Sequence, residues 1–161
     1  MTDHHDTAPH IHAYGPCSPQ EIAEALEQAE EIVSKRGQKL TRIRRKVLQL
    51  LLESKEPSKA YDLLNNLDGE GAAKPPTIYR ALDFLQEVGL AHKIESLNAY
   101  VACGHASHSH LAVFLICDNC GNAEELHAVT MKTAIDAETL AAGFQTKRAM
   151  IEAHGLCRNC A

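Results

Sequence analysis

The sequence predicts an α+β chain: helices closed by a β-hairpin in winged-helix order, then a small αβ domain built around four cysteines. Three observations carry this reading. Between Ser18 and Gly89, apolar residues recur at helical spacing in four blocks separated by Gly, Pro or Ser. Two short strand-like runs then flank a Ser96-Leu97-Asn98 turn. Further on stand Cys117-x-x-Cys120 and Cys157-x-x-Cys160, with 36 residues between the pairs.

Residues 1–17 hold His4, His5, His10 and His12 with Pro9, Gly15 and Pro16, and read as a disordered His-rich tail. Such a tail is either simply solvated or a loose metal binder; Cys17 gets no role. Residues 18–95 form the winged-helix domain. Ser18 caps the first helix, Pro19 suits its first turn, and Glu21 stands at the capping-box position. Ile22, Leu26, Ala29 and Val33 make its stripe, and Gly37 ends it. The second helix spans Arg42 to Leu52, with Thr41 as its cap. The third follows Pro57-Ser58 and uses Ala60, Leu63, Leu64 and Leu67. The fourth runs from Pro75-Pro76 to Gly89 and buries Ile78, Leu82 and Leu85. That stripe turns Thr77, Tyr79, Arg80 and Asp83 away from the core.

Leu90 to Glu95 is the first wing strand. Residues 96–102 supply the turn, the second wing strand and a hinge. Residues 103–161 form the αβ domain. In it Leu111–Cys117 is a strand, Ala123–His127 its hairpin partner, Thr130–Ala142 a helix stopped by Gly143, and Phe144–Ala153 a third strand.

The net charge of -5 conceals an uneven distribution. Residues 1–34 carry -7, residues 35–93 carry +5 and residues 94–161 carry -3. A basic middle between acidic flanks suits phosphate binding, and equally an ordinary solvated surface. No apolar run reaches the roughly 18 residues of a membrane span, and the N-terminus has no apolar signal core. A cytoplasmic protein without membrane association is expected.

Without an export signal, paired cysteines read as metal ligands before disulfides. Two residues between thiolates let both face one ion from a tight turn, and two such turns close a tetrahedral zinc shell. Cys117, Cys120, Cys157 and Cys160 are the predicted structural zinc site. The remaining donors crowd His92 to Glu125: His92, Cys103, His105, His108, His110 and Glu125, with His127 and His154 further off. Their density predicts a second metal site, its membership open at this point.

On the fourth helix, Tyr79 offers a ring to a thymine methyl and a hydroxyl to phosphate. Arg80 can reach guanine or a phosphate. Spacing alone equally allows a surface Tyr-Arg pair. No G-x-S-x-G, H-E-x-x-H, phosphate-binding Gly loop or zinc-deaminase signature occurs, so no catalytic residue is assigned and no enzyme is expected. A zinc hydrolase using an open His-rich site would be the reading from another class.

The run Lys74-Pro75-Pro76-Thr77-Ile78-Tyr79-Arg80-Ala81-Leu82-Asp83-Phe84-Leu85, followed by Gly89-Leu90-Ala91-His92-Lys93-Ile94-Glu95-Ser96, closely resembles the recognition helix and wing of the ferric-uptake-regulator superfamily. Ile151-Glu152-Ala153-His154-Gly155-Leu156-Cys157 is similar to its zinc-uptake-regulator branch. The resemblance runs from about Leu40 to Cys160.

It implies a homodimer in which the αβ domain is the dimerisation domain. It also implies a repressor that takes zinc as corepressor and binds AT-rich inverted repeats in double-stranded DNA at zinc-uptake genes. Two zinc ions per monomer are implied. One sits on the four cysteines, and a regulatory one on His92, Cys103, His110 and Glu125. His105 and His108 are then spare, or replace His110. Tyr79, Arg80, Thr77, Lys74 and Arg44 match DNA-contacting positions, Arg44 being the base of a Leu-Thr-x-x-Arg element. Arg148 and Ala149 stand where some members have a third-site histidine, so no full third site is expected. A thiolate at Cys103 favours zinc over ferrous iron; a sensor of iron, manganese or peroxide is the alternative within the same fold.

Overall fold

The computed structural model describes residues 11–13, 18–54, 56–67, 74–103 and 111–161. They fall into two compact units, one made of residues 18–103 and the other of residues 11–13 with 111–161.

The first unit begins with α1 (Pro19–Lys35), whose start is built by sequence. The Glu21 amide donates to Ser18 Oγ at 3.3 Å, and the Ser18 amide donates to Glu21 Oε2 at 2.6 Å. Two otherwise orphaned helix-end donors are satisfied reciprocally. These bonds also hold the Glu21 carboxyl below its usual range, the backbone bond to Ser18 first. Leu26, Ala29 and Val33 are buried beneath.

The second helix, α2 (Arg42–Glu53), starts differently. Thr41 stands at its N-cap but makes no side-chain cap bond, against the sequence expectation. Replacing Ser18 by alanine is therefore expected to destabilise the helical unit by about 1 kcal/mol. Thr41→Ala should have a smaller effect. Denaturant midpoints followed by far-ultraviolet dichroism check both, and equal losses would contradict the asymmetry.

Helices α3 (Ala60–Asn65) and α4 (Pro75–Glu87) complete the helical set. Helix α2 packs on α1 and α4, and α3 on α4. Ile78, Leu82, Leu85, Val47, Val33 and Leu48 meet in one apolar cluster. Gly89 closes α4 with φ +78°, a conformation that L side chains rarely adopt, and Leu90 N–H then donates to Leu85 O at 2.8 Å.

The hairpin follows as β2 (Ala91–Ile94) and β3 (Ala99–Ala102), antiparallel, with His92 opposite Val101 and Lys93 opposite Tyr100. Asn98 turns the corner at φ 46°. A bridge between Ser58 and Tyr100, two backbone bonds of 2.8 Å, ties the hairpin to the segment before α3. Helices and wing thus have the winged-helix order, preceded by the extra helix α1.

The second unit is a four-stranded sheet in the order β1-β5-β4-β6. Its strands are β1 (Ile11–Ala13), β4 (Ala112–Cys117), β5 (Ala123–His127) and β6 (Met150–Gly155). Strand β4 reads Ala-Val-Phe-Leu-Ile-Cys and is almost wholly buried, as a central strand covered on both faces should be. It pairs antiparallel with β5 and parallel with β6. Helix α5 (Val129–Ala141) supplies the crossover and has no buried residue of its own.

Two expectations change here. The third strand begins at Met150 rather than Phe144, because Phe144 to Ala149 are spent returning the chain from α5 to the start of β4. Residues 11–13, read as tail, form a strand against Glu124, Glu125 and Leu126. Three residues are too few to show a strand period.

Candidate metal centre and nucleic-acid face

The metal centre grows from the two turns that bracket β4 and β6. After Cys117 the chain reverses within five residues. Cys117 N–H donates to Asn122 O at 2.8 Å, and Gly121 N–H to Cys117 O at 2.9 Å. Gly121 permits this reversal with φ +72°. The reversal presents Cys117 and Cys120 on one side.

The parallel register brings the second pair to the same place. Cys117 lies opposite Gly155, two residues before Cys157. Asp118 N–H donates to Gly155 O at 2.8 Å, and His154 Nδ1 lies 3.0 Å from Asp118 Oδ1. A second tight turn follows, with Cys160 N–H donating to Cys157 O at 2.9 Å.

The four sulfurs of Cys117, Cys120, Cys157 and Cys160 lie within 4.8 Å of one another. Cys120 Sγ and Cys157 Sγ are 3.9 Å apart. A tetrahedral zinc with about 2.3 Å bonds to sulfur spaces its ligands by about 3.8 Å. The donor set and its spacing fit zinc.

Charge argues the same way. Backbone amides of Cys120 and then Cys157 hold the Cys117 thiol down to about 6, and the Cys157 amide lies 3.4 Å from Cys117 Sγ. At Cys120 the Asn122 amide favours the thiolate, but the neighbouring Cys117 thiol and desolvation push that group up to about 11. Four thiolates share this space at neutral pH only with a cation among them.

Residues of the second predicted site fall in both units. His92 lies on β2 and Cys103 directly after β3, where its N–H donates to Leu90 O at 2.9 Å. Their metal-donor atoms lie within 4.8 Å of each other. Glu125 lies on β5 with only 1% of its surface exposed. A carboxylate buried that deep is held by donors or a cation. His105, His108 and His110 lie outside the described residues.

On the helical unit, α4 turns Lys74, Tyr79 and Arg80 to solvent, with Thr77 half-buried. Tyr79 exposes 51% of its surface, unusual for an aromatic residue beside a well-filled core. Arg44, expected to contact DNA, also has partners within the unit. Its guanidinium carbon stands 3.4 Å from the centroid of the Phe84 ring, and its Nη1 donates to Lys39 O at 3.0 Å. It braces α2 against α4 by a cation–π contact. Sequence reasoning did not single out Phe84, Asp118 or Lys93. The two-residue period of β2, which sets Lys93 and Glu95 on one face, was the available signal for the last.

The ferric uptake regulator family model matches residues 35–154. The chain belongs to the ferric uptake regulator family. Within it, the chain is 43% identical over 139 residues to the zinc uptake regulation protein of Escherichia coli (strain K12), covering 85% of this chain and 81% of that one. A zinc uptake regulator solved in complex with zinc and DNA is 42% identical. It superposes with a TM-score of 0.78 over 86% of this chain and 93% of its own. The crystal structure of holo XcZur is 44% identical with a TM-score of 0.74, covering 84% and 96% respectively. Among the described residues no helix is long and apolar enough to cross a membrane.

Proposed function

We propose that this member of the ferric uptake regulator family is a cytoplasmic, zinc-responsive transcriptional repressor of zinc-uptake genes. Its operators are AT-rich inverted repeats in double-stranded DNA, and zinc is the corepressor. The observation that carries the reading is the likeness, at 42% identity and a TM-score of 0.78, to a zinc uptake regulator solved with zinc and DNA.

Each monomer takes two zinc ions. Cys117, Cys120, Cys157 and Cys160 hold the structural one. His92, Cys103, His110 and Glu125 hold the regulatory one, and four protein ligands there leave no coordination position for a water nucleophile. That argues for a regulator over a hydrolase. The adjacent donors of His92 and Cys103 and the buried Glu125 carboxylate support this set. Bound there, zinc supplies a fixed charge that favours one conformation over others. Tyr79, Arg80, Thr77, Lys74 and Arg44 contact DNA, Tyr79 and Arg80 through bases or phosphates, and Arg44 also braces α4 through Phe84.

The active species is a homodimer, whose two-fold symmetry matches that of an inverted repeat. The surface of the sheet unit supports this. Leu140 and Phe144 expose 74% and 63% of their areas beside exposed Val129 and Met131, and α5 buries nothing within the chain. A helix with exposed apolar residues and no fully buried side chain fits a second copy.

Operator-type DNA binding titrated with buffered free zinc, ferrous iron and manganese tests the proposal. Zinc alone is expected to switch binding on. Arg80→Ala should weaken the zinc-activated complex by about 10- to 100-fold while zinc content stays at the wild-type value. Equal activation by iron or manganese would make the chain a sensor of another metal, and full affinity in the Arg80 variant would remove that residue from the interface.

A further inference from the structure

Beside the exposed Tyr79 of α4 lies a charged cluster that the proposed DNA contacts leave unused. Lys93 stands on β2, one position past His92 and opposite Tyr100 of β3. Its Nζ lies 2.6 Å from Glu95 Oε2, with the lysine side chain 26% and the glutamate 70% exposed. The ammonium feels the fields of both Tyr79 and Tyr100. Tyr100 in turn feels Lys93, Asp83, Tyr79 and Glu95. One cation, two carboxylates and two phenols therefore share the seam between recognition helix and wing. The hydrogen bond to Glu95 is also the leading reason the ammonium binds its proton more tightly than usual.

We infer that Lys93 is a phosphate-binding residue of the wing and that Glu95 is its built-in competitor, occupying the ammonium until a DNA phosphate displaces the carboxylate. The inference rests on the DNA-binding reading above and adds a residue pair to it.

Three physical points support it. Lys93 is anchored on a short strand, so its stem is aimed by backbone bonds and not by a mobile loop. Strand β2 packs against α4, and Lys93 is close enough to Tyr79 to interact with it electrostatically, so a duplex engaging α4 would pass near this ammonium. Glu95 is 70% exposed, and a pair with a solvated carboxylate is worth little in water, so exchanging that carboxylate for a phosphate costs little and releases a counterion from DNA. Glu95 then lowers affinity for every duplex, specific or not, by a similar factor, because the contact that it weakens carries no sequence information.

The test uses the full chain with saturating zinc, an AT-rich inverted-repeat duplex and an unrelated duplex of equal length. Affinity is measured against salt for wild type, Lys93→Gln, Lys93→Arg, Glu95→Gln and the double variant Lys93→Gln/Glu95→Gln. Lys93→Gln is expected to weaken binding about five- to tenfold near 0.1 M salt and to flatten the log–log salt slope by about 0.9 per Lys93 engaged. Lys93→Arg should restore most of both. Glu95→Gln should tighten binding about two- to fivefold on both duplexes.

The double variant decides how Glu95 acts. If it works through Lys93, the gain from Glu95→Gln vanishes in the Lys93→Gln background. A gain that persists there means general repulsion of DNA and overturns the competitor role. An unchanged salt slope in Lys93→Gln overturns the phosphate contact. Arg80→Ala keeps the two levels apart. If Arg80→Ala loses binding while the Lys93 series is flat, only this inference fails. If wild type binds neither duplex even at low salt, the DNA-binding reading fails and takes this inference with it.

Discussion

Replacing Cys157 by serine is expected to unfold the sheet unit and leave the helical unit folded. The sheet unit has little else to hold it. Its described core is essentially β4 with Leu111 and Ala123, and α5 contributes no buried side chain. Structural zinc sites in small domains bind with about 10–16 kcal/mol, comparable with the about 5–15 kcal/mol that stabilises a whole domain. Losing one of the four thiolates removes a large share of that, although the backbone amide of position 157 that reaches Cys117 Sγ remains. Zinc should fall by one per chain. Amides of β4 and β6 should lose exchange protection while α2 and α4 keep theirs. Persistent protection of β4 with zinc content unchanged would mean that three thiolates suffice or that the metal is not structural.

Replacing Cys103 by serine is expected to do the opposite: the chain folds but no longer responds to zinc. Serine preserves the backbone bond from position 103 to Leu90 O, so β3 should end where it does now. The loss is of a soft, charged donor beside His92. Couplings between ligand sites commonly amount to about 5- to 150-fold in affinity. That factor should disappear from a zinc titration of DNA binding, with zinc content reduced by one and the melting profile of both units retained. An unfolded variant would show that Cys103 belongs to the structural shell. A variant that still switches at the same free zinc would remove Cys103 from the regulatory set.

Much of this was legible in the chain itself. The helices of the first unit carry strong signals: a capping box at Ser18 and Glu21, a Pro-Pro start at Pro75, and Gly89 at a position that needs positive φ. The four cysteines were legible because the ligand spacing of a tight turn is local, and the parallel register then had only to bring two local turns together. What was hidden depends on partners distant in sequence. The cation–π contact of Arg44 is with Phe84, forty positions away, and no local pattern announces it. Residues 11–13 look like tail because their strand exists only through β5. The start of β6 is set by the length of chain needed to return from α5, which no periodicity encodes. Thr41 has the right residue type for a cap, yet cap geometry is a backbone property that residue type alone does not secure.

The arrangement of the two cysteine pairs also bears on how the protein is made. The first pair and its turn leave the ribosome 36 residues before the second. The helical unit, whose core contacts all lie within residues 18–103, is free to fold in that interval. The sheet unit is not, because β4 lacks its parallel neighbour and its thiolates lack theirs. For that interval the growing chain carries a nearly complete reading head and half a metal shell. The four-cysteine shell can therefore close only once Cys160 has emerged, so the metal that completes the sheet unit must be at hand at the end of synthesis and not before.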